Sequence, residues 1–402
     1  TSYLRKGIQD RLGVAAALKK TLRKIPFIAV EGDVVVPVEQ VTDKAEHAAR
    51  TIRPKITRLI PEYLTPLEPI ELANDIQPTL DSSSLSPDGT RAWVSAAGLE
   101  TLDVRNVDAA VRSLSELDRG APRVPTGTFY GGESAAQEVL ANFLKSRLER
   151  YASGRNEPAL SLQSDLSPYL RIGAISVVDI VLQSQTFAKD NRTKGVKEGL
   201  ESFLEELIVR RELSVNMCWF GREDYDVYDR AVPAYAKESL ELHKADKRPV
   251  IYTYEELEAA LTYDSYWNTA QLELIVTGKI IGWTPDAETA LDYCIRLNNR
   301  WELDAVDPNS YAGIIWNFGR HDQGWKEREI WGKVRYMNEA GLKRKFNMAA
   351  YISKVEVLVR KVGLPDRIGH LRQSRQSGLK GLVQTSLDET APKRPQKRPR
   401  SR

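Results

Sequence analysis

The sequence predicts a short α/β segment followed by a mostly α-helical domain, and three observations carry that expectation. Two short β-branched runs flank Gly32 and Asp33 in IPFIAVEGDVVVPV, after a helical pattern. From Gly132 onward, apolar residues recur almost continuously at helical spacing. Between the two, from Pro66 to about Gly127, clusters such as DSSSLSPDG and APRVPTG have the chemistry of a connector. A chain of 402 residues with 42% apolar content can bury a sizeable core and is expected to hold two domains.

Taken in order, residues 1–24 carry Tyr3, Leu4, Ile8, Leu12 and Ala16 at helical spacing among Arg and Lys, which predicts an amphipathic helix. Pro26 then opens the expected strand pair, too little to complete a doubly wound sheet. A helical segment near 107–117 interrupts the connector. In ESAAQEVLANFLKSRLERYASGRN, Val139, Leu140, Phe143, Leu144 and Leu148 form the buried face of a helix. In SDLSPYLRIG, Ser164 or Ser167 can cap a helix with Pro168 at its first position. Such a start can seat a phosphate, although an ordinary cap is its commoner use. FLEELIVRRELSVNMCWF places Phe203, Leu204, Leu207 and Ile208 on one side, and Glu206 four residues before Arg210, a spacing that pairs them. Further on, Glu302, Asp304 and Asp307 stand beside DPNSYAG, which reads as a turn within a buried loop because Pro308 fixes one dihedral while Asn309 and Gly313 tolerate strained ones. Past Gly363 the apolar periodicity fades into a disordered tail with the basic run KRPQKRPR.

Net charge is only +3, so any surface for nucleic acid must be local. Between positions 320 and 345, eight Lys or Arg face four Asp or Glu, and Trp301, Trp316, Trp325 and Trp331 lie close together in sequence. Rings among cations suit nucleic acid, because rings stack on unpaired bases while cations replace counterions. On composition alone the plainer reading is favoured, since Trp is mostly a core residue and KEREIWGKVR is an ordinary solvated face. Cys218 and Cys294 have no metal-type spacing, which argues for a reducing compartment without a disulfide framework or zinc site. No apolar run approaches a membrane span and the N-terminus lacks a signal pattern, so a soluble protein is expected.

LNNRWELDAVDPNSYAG followed by HDQGWKEREIWGKVRYMN resembles the signature of the class II cyclobutane-pyrimidine-dimer DNA photolyases, within the photolyase and cryptochrome superfamily. TIRPKITRLIPEYL and YDSYWNTAQLELIVTGK extend the match. The resemblance implies that residues 1–65 are the C-terminal part of a shortened Rossmann-like antenna domain. Residues 66–131 would be an interdomain connector, 132–363 an all-helical FAD- and DNA-binding domain, and 364–402 a basic tail. The implied chemistry is electron transfer from light-excited reduced FAD to a dimer flipped out of the duplex, with the antenna pigment left open.

By the same resemblance, Tyr151, Ser164, Leu166 and Ser167 would hold the flavin dinucleotide's phosphates, Asp304 and Asp307 would lie at the flavin, and Asn298 would face its N5 edge. Glu206 would stabilise the dimer radical anion, Arg155 would contact the lesion, and Trp316 would pack against the flipped dimer. Trp267 and Trp283 would belong to the electron path. Arg210, Lys326 and Arg328 are candidate DNA contacts, and Arg211 a neighbour of the DNA or flavin. The match is interrupted between Lys279 and Ile280, where members of the class carry about a dozen further residues, including an Arg and a Trp at the flavin, or about 18 Å of helix. The expected partner is UV-damaged DNA, the expected state a monomer, and the expected place the nucleus or cytoplasm. A cryptochrome-like photoreceptor, or a paralogue that binds damaged DNA without repairing it, is the second reading.

Overall fold

A computed structural model describes residues 3–21, 30–66, 106, 109, 129–273, 281–336 and 338–361. Thr1–Thr65 and Pro125–Arg402 form one compact unit, and Pro66–Val124 forms another. Of the latter only Pro66, Asn106 and Ala109 are described, with the Ala109 amide donating to the Asn106 side chain (3.1 Å). The helix expected at 107–117, the Lys279–Ile280 junction and the tail all lie outside the described residues.

The larger unit is helical. Its elements are α1 (Arg5–Thr21), α2 (Val38–Val41), α3 (Ala49–Tyr63), α4 (Glu133–Ser146), α5 (Leu148–Gly154), α6 (Ser167–Arg171), α7 (Val177–Asp190) and α8 (Lys194–Leu204). A π-turn (Glu205–Arg210) leads into α9 (Arg211–Phe220), followed by α10 (Tyr228–Ala231), α11 (Ala234–Leu242), α12 (Tyr254–Glu258), α13 (Ser265–Glu273), α14 (Ala287–Trp301), α15 (Pro308–Trp316), α16 (Glu339–Lys345) and α17 (Met348–Lys361). No described helix is long and apolar enough to cross a membrane.

Among the described residues, the buried apolar contacts of helix α1 lie at its start. Tyr3, Leu4 and Ile8 are buried, whereas Leu12 and Ala16, expected on the same buried face, are exposed because the partner surface of Val34, Val38, Val215 and Trp219 meets the beginning of the helix. The strand expected around residues 34–38 is absent. Val34–Val36 are buried, but the amides of Val35 and Val36 donate to Glu212 Oε1 of α9 (3.0 and 3.2 Å), so a carboxylate takes the hydrogen bonds a neighbouring strand would have taken. Among the described residues the isolated bridge Arg328–Gly332 is the one β-type pairing.

One core joins α3, α4, α5, α7, α8 and the π-turn through Ile52, Leu140, Phe143, Leu148, Ile180 and Phe203. The helix expected through residues 133–156 breaks at Arg147 (φ −125°), which divides α4 from α5 and turns α5 against α8. That crossing requires Gly199, where a Cβ would sit 1.9 Å from the Leu148 carbonyl oxygen. A second core gathers Met217, Trp267, Trp283, Leu291, Leu297, Ile315 and Phe318. DPNSYAG is helical, contrary to the loop expected: Asp307 accepts from the Asn309 amide (2.8 Å) as N-cap of α15, and Pro308 occupies the first turn, where its missing N–H costs nothing. Cys218 and Cys294 are both free and buried.

Candidate functional site

Four groups of side chains collect the residues singled out in the sequence. In the first, Arg155 at the end of α5 lies 2.9 Å from Glu206 Oε1 in the π-turn. Tyr151 is buried one turn earlier, edge-on to Phe143 (5.5 Å) and Phe203 (5.7 Å). Glu206 does not pair with Arg210, as the spacing of four had suggested. Arg210 Nε donates to Glu205 instead (3.2 Å), because a π-turn brings residues five apart into register. Glu205 also receives a two-pronged bond from Arg53 of α3 (3.0 and 2.7 Å).

The second group lies where α9 meets α15. Arg211 Nε donates to the Asp33 carbonyl (3.0 Å) and its Nη1 stands 3.8 Å from Asp307 Oδ1, both side chains being buried. Burial raises the Asp307 carboxyl, and Arg211 opposes that rise. Burial, reinforced by the Asp304 charge, pushes Glu302 up to about 8. Asn298 on α14 is buried and donates to Asn299 (3.2 Å). Asp304 lies in the loop before α15, where its carbonyl accepts from Ser310 Oγ (3.1 Å). Arg171 Nε of α6 donates to the Ala305 carbonyl (3.0 Å), which ties this loop to the segment holding Ser164, Leu166 and Ser167. Neither serine caps α6: Leu166 occupies the N-cap position, and Ser164 Oγ accepts loosely from the Leu166 amide (3.4 Å).

The third group is aromatic. Trp267 and Trp283 are buried and meet at right angles with centroids 5.5 Å apart. Tyr252 and Tyr263 pack on Trp283 at 5.7 and 5.8 Å, and Trp283 Nε1 donates to the Tyr263 hydroxyl (3.3 Å).

The fourth group is at the surface. Trp316 is 41% exposed and Trp325 39%, so neither ring is core. The Arg335 guanidinium lies 4.6 Å from the Trp316 ring and 4.7 Å from the Trp325 ring. Asp322 holds Arg335 by two contacts (3.1 and 3.2 Å) and accepts from Trp325 Nε1 (3.0 Å). Lys326 is exposed on the same loop, and Arg328 lies 5.5 Å from the Tyr336 ring. Sequence reasoning had missed Arg335, Asp322, Arg53 and Glu205. Arg335 stands 19 residues beyond Trp316 in a segment without periodicity, and Arg53 and Glu205 are 152 residues apart, so no local pattern joins them.

Ile172 is exposed just beyond Arg171, and Leu303 and Val306 are exposed in the loop whose Ala305 carbonyl Arg171 holds.

No family model matches the chain. It is 38% identical over 347 residues to the deoxyribodipyrimidine photo-lyase of Methanothermobacter thermautotrophicus, covering 83% of this chain and 69% of that one. The corresponding protein of Potorous tridactylus is 36% identical over 348 residues, covering 83% and 59%, and that of Arabidopsis thaliana 38% over 361 residues, covering 85% and 67%. The crystal structure of a bacterial class III photolyase from Agrobacterium tumefaciens superposes with a TM-score of 0.51 over 93% of this chain and 71% of that one. At 14% identity, that likeness speaks for the fold alone.

Proposed function

This chain belongs to the deoxyribodipyrimidine photolyases, and from that premise we propose that it repairs cyclobutane pyrimidine dimers in UV-damaged DNA in a light-driven reaction, as a member of class II. The chain spans 59 to 69% of the length of the three relatives named above. The observation that carries the DNA reading is the half-exposed stack of Trp316, Arg335 and Trp325. A guanidinium 4.6 and 4.7 Å from two partly exposed rings sets a cationic group beside aromatic surface, as an unpaired region of DNA requires. Asp322 holds Arg335 there by two contacts.

When bound, reduced FAD supplies the light-excited electron, and the two segments that Arg171 ties together, with Ser164, Ser167 and Asp304, are where this chain would hold it. Asp307 caps α15 and so fixes the helix that ends in Trp316. Glu206 alone would repel a dimer radical anion. Paired with Arg155 at 2.9 Å it forms a neutral dyad, whose guanidinium can meet the developing charge while the carboxylate orients it. Trp267, Trp283 and Tyr263 form an unbroken contact of rings suited to carrying an electron through the second core.

The test is binding of matched duplexes with and without one dimer, followed by illumination of the complex. Preference for the dimer and its light-dependent reversal are expected. Binding without reversal would favour the non-repairing paralogue, the reading that the interrupted match after Lys279 supports.

A further inference from the structure

The helical path from Lys194 to Phe220 is held in register at both ends. At its start, Gly199 rests on the Leu148 backbone, and no other residue of α8 could replace it there without pushing α5 away. At its end, α9 grips the main chain of residues 33–46. Arg211 donates to the Asp33 carbonyl, Glu212 accepts from Val35 and Val36, and Asn216 accepts from the Glu46 amide (2.7 Å) and donates to the Lys44 carbonyl (3.2 Å). The π-turn between these holds takes up one residue more than an α-helix would accommodate. Expelling that residue would rotate one end away from its partner.

Within the turn the two neighbouring acids leave in different directions. Glu205 goes to Arg53 and Arg210, and Glu206 to Arg155. An ordinary helical turn would offer Glu206 to Arg210, four residues on. We infer that Arg53 is a positioning residue for the repair reaction: its fork on Glu205 holds the π-turn so that Glu206 is aimed at Arg155 and the lesion. The inference rests on the reading of Glu206 as the acid facing the lesion. A bidentate guanidinium fixes the plane of the carboxylate it holds, which an ammonium cannot do. Arg53 and Glu205 are both partly exposed, with side-chain accessibilities of 44 and 25%. Their pairing therefore adds little to overall stability, and its loss should register in geometry and yield rather than in melting.

The experiment compares Arg53→Gln, Arg53→Lys and Glu205→Gln with Arg50→Gln, a charge loss elsewhere on α3, and with Glu206→Ala. The first readout is a crystal structure of the Arg53→Gln chain, which needs no flavin. The Arg155–Glu206 contact is expected to open, and an intact contact overturns the proposal. The second is repair per absorbed photon, expected to fall several-fold in Arg53→Gln and Glu205→Gln and less in Arg53→Lys, while affinity for dimer DNA stays within about twofold. A yield no lower than that of Arg50→Gln also overturns it. Should Glu206→Ala leave the yield unchanged, the reading of Glu206 itself fails. Should Glu206→Ala lower the yield while Arg53→Gln does not, the positioning role alone fails. If Arg53→Gln does not fold, Arg53→Lys and Glu205→Gln carry both readouts.

Discussion

Trp316 leaves about two-fifths of its surface open, although it ends a helix whose other apolar residues are mostly buried. Trp316→Ala is therefore expected to weaken binding to dimer-containing DNA by ~1 to 3 kcal/mol, with little change for undamaged DNA. Gel-shift affinities on matched duplexes measure it, and equal losses on both would make the ring a structural residue only. Glu206 differs in kind, because its partner Arg155 already balances its charge in the free chain. Glu206→Ala should lower repair per absorbed photon more than it lowers affinity, since only the charged intermediate depends fully on the dyad. Lost affinity with an unchanged quantum yield would restrict Glu206 to a ground-state contact.

At the level of elements, the periodicity that announced α4 was legible because Leu140, Phe143 and Leu144 had to face one core. DPNSYAG was not, since Pro and Asn serve a turn and a helix start equally well, and only the Asp307 cap decides between them. Nor was the π-turn, because what holds it, at both of its ends and through Arg53 on Glu205, comes from segments distant in sequence. The β-branched run at Val34–Val36 misled because its partner is a side chain, Glu212, from a distant helix. That partnership carries a pH signature. Burial pushes Glu212 up to about 8 from a reference of 4.5, against the opposing pull of the Val35 and Val36 amides and of Arg211, and with Glu31 adding to the rise. Between those values the fold keeps a proton that the unfolded chain has released, so this group's contribution to stability falls as pH rises from about 4.5 to about 8 and is constant above. The slope is at most about 1.4 kcal/mol per pH unit. Glu212→Gln, which keeps an acceptor for both amides, should flatten that part of a melting-temperature profile. An unchanged profile would mean that Glu212 is ionised in the fold.

On the scale of the molecule, the helical domain and the roles of Glu206 and Trp316 could be approached from sequence because their motifs are compact. The Arg335 stack and the Arg53 brace could not, because each depends on segments that only the fold brings together. The interruption after Lys279 bears on the whole chain. Restoring the segment of about a dozen residues should raise flavin retention, because the resemblance puts an Arg of that segment at the flavin, where it can pair with an acid such as Asp304. The check is the visible spectrum of each version after incubation with FAD and desalting, and full retention by the shorter chain would refute it. The grip of α9 on residues 33–46 also sets a timetable for synthesis. Val35 leaves the ribosome 177 residues before Glu212, which at cellular elongation rates is on the order of 10 to 35 s. Throughout that interval the Val35 and Val36 amides lack their Glu212 acceptor, so this run is held only by its apolar neighbours until α9 is made, and a slowed ribosome would lengthen that stage.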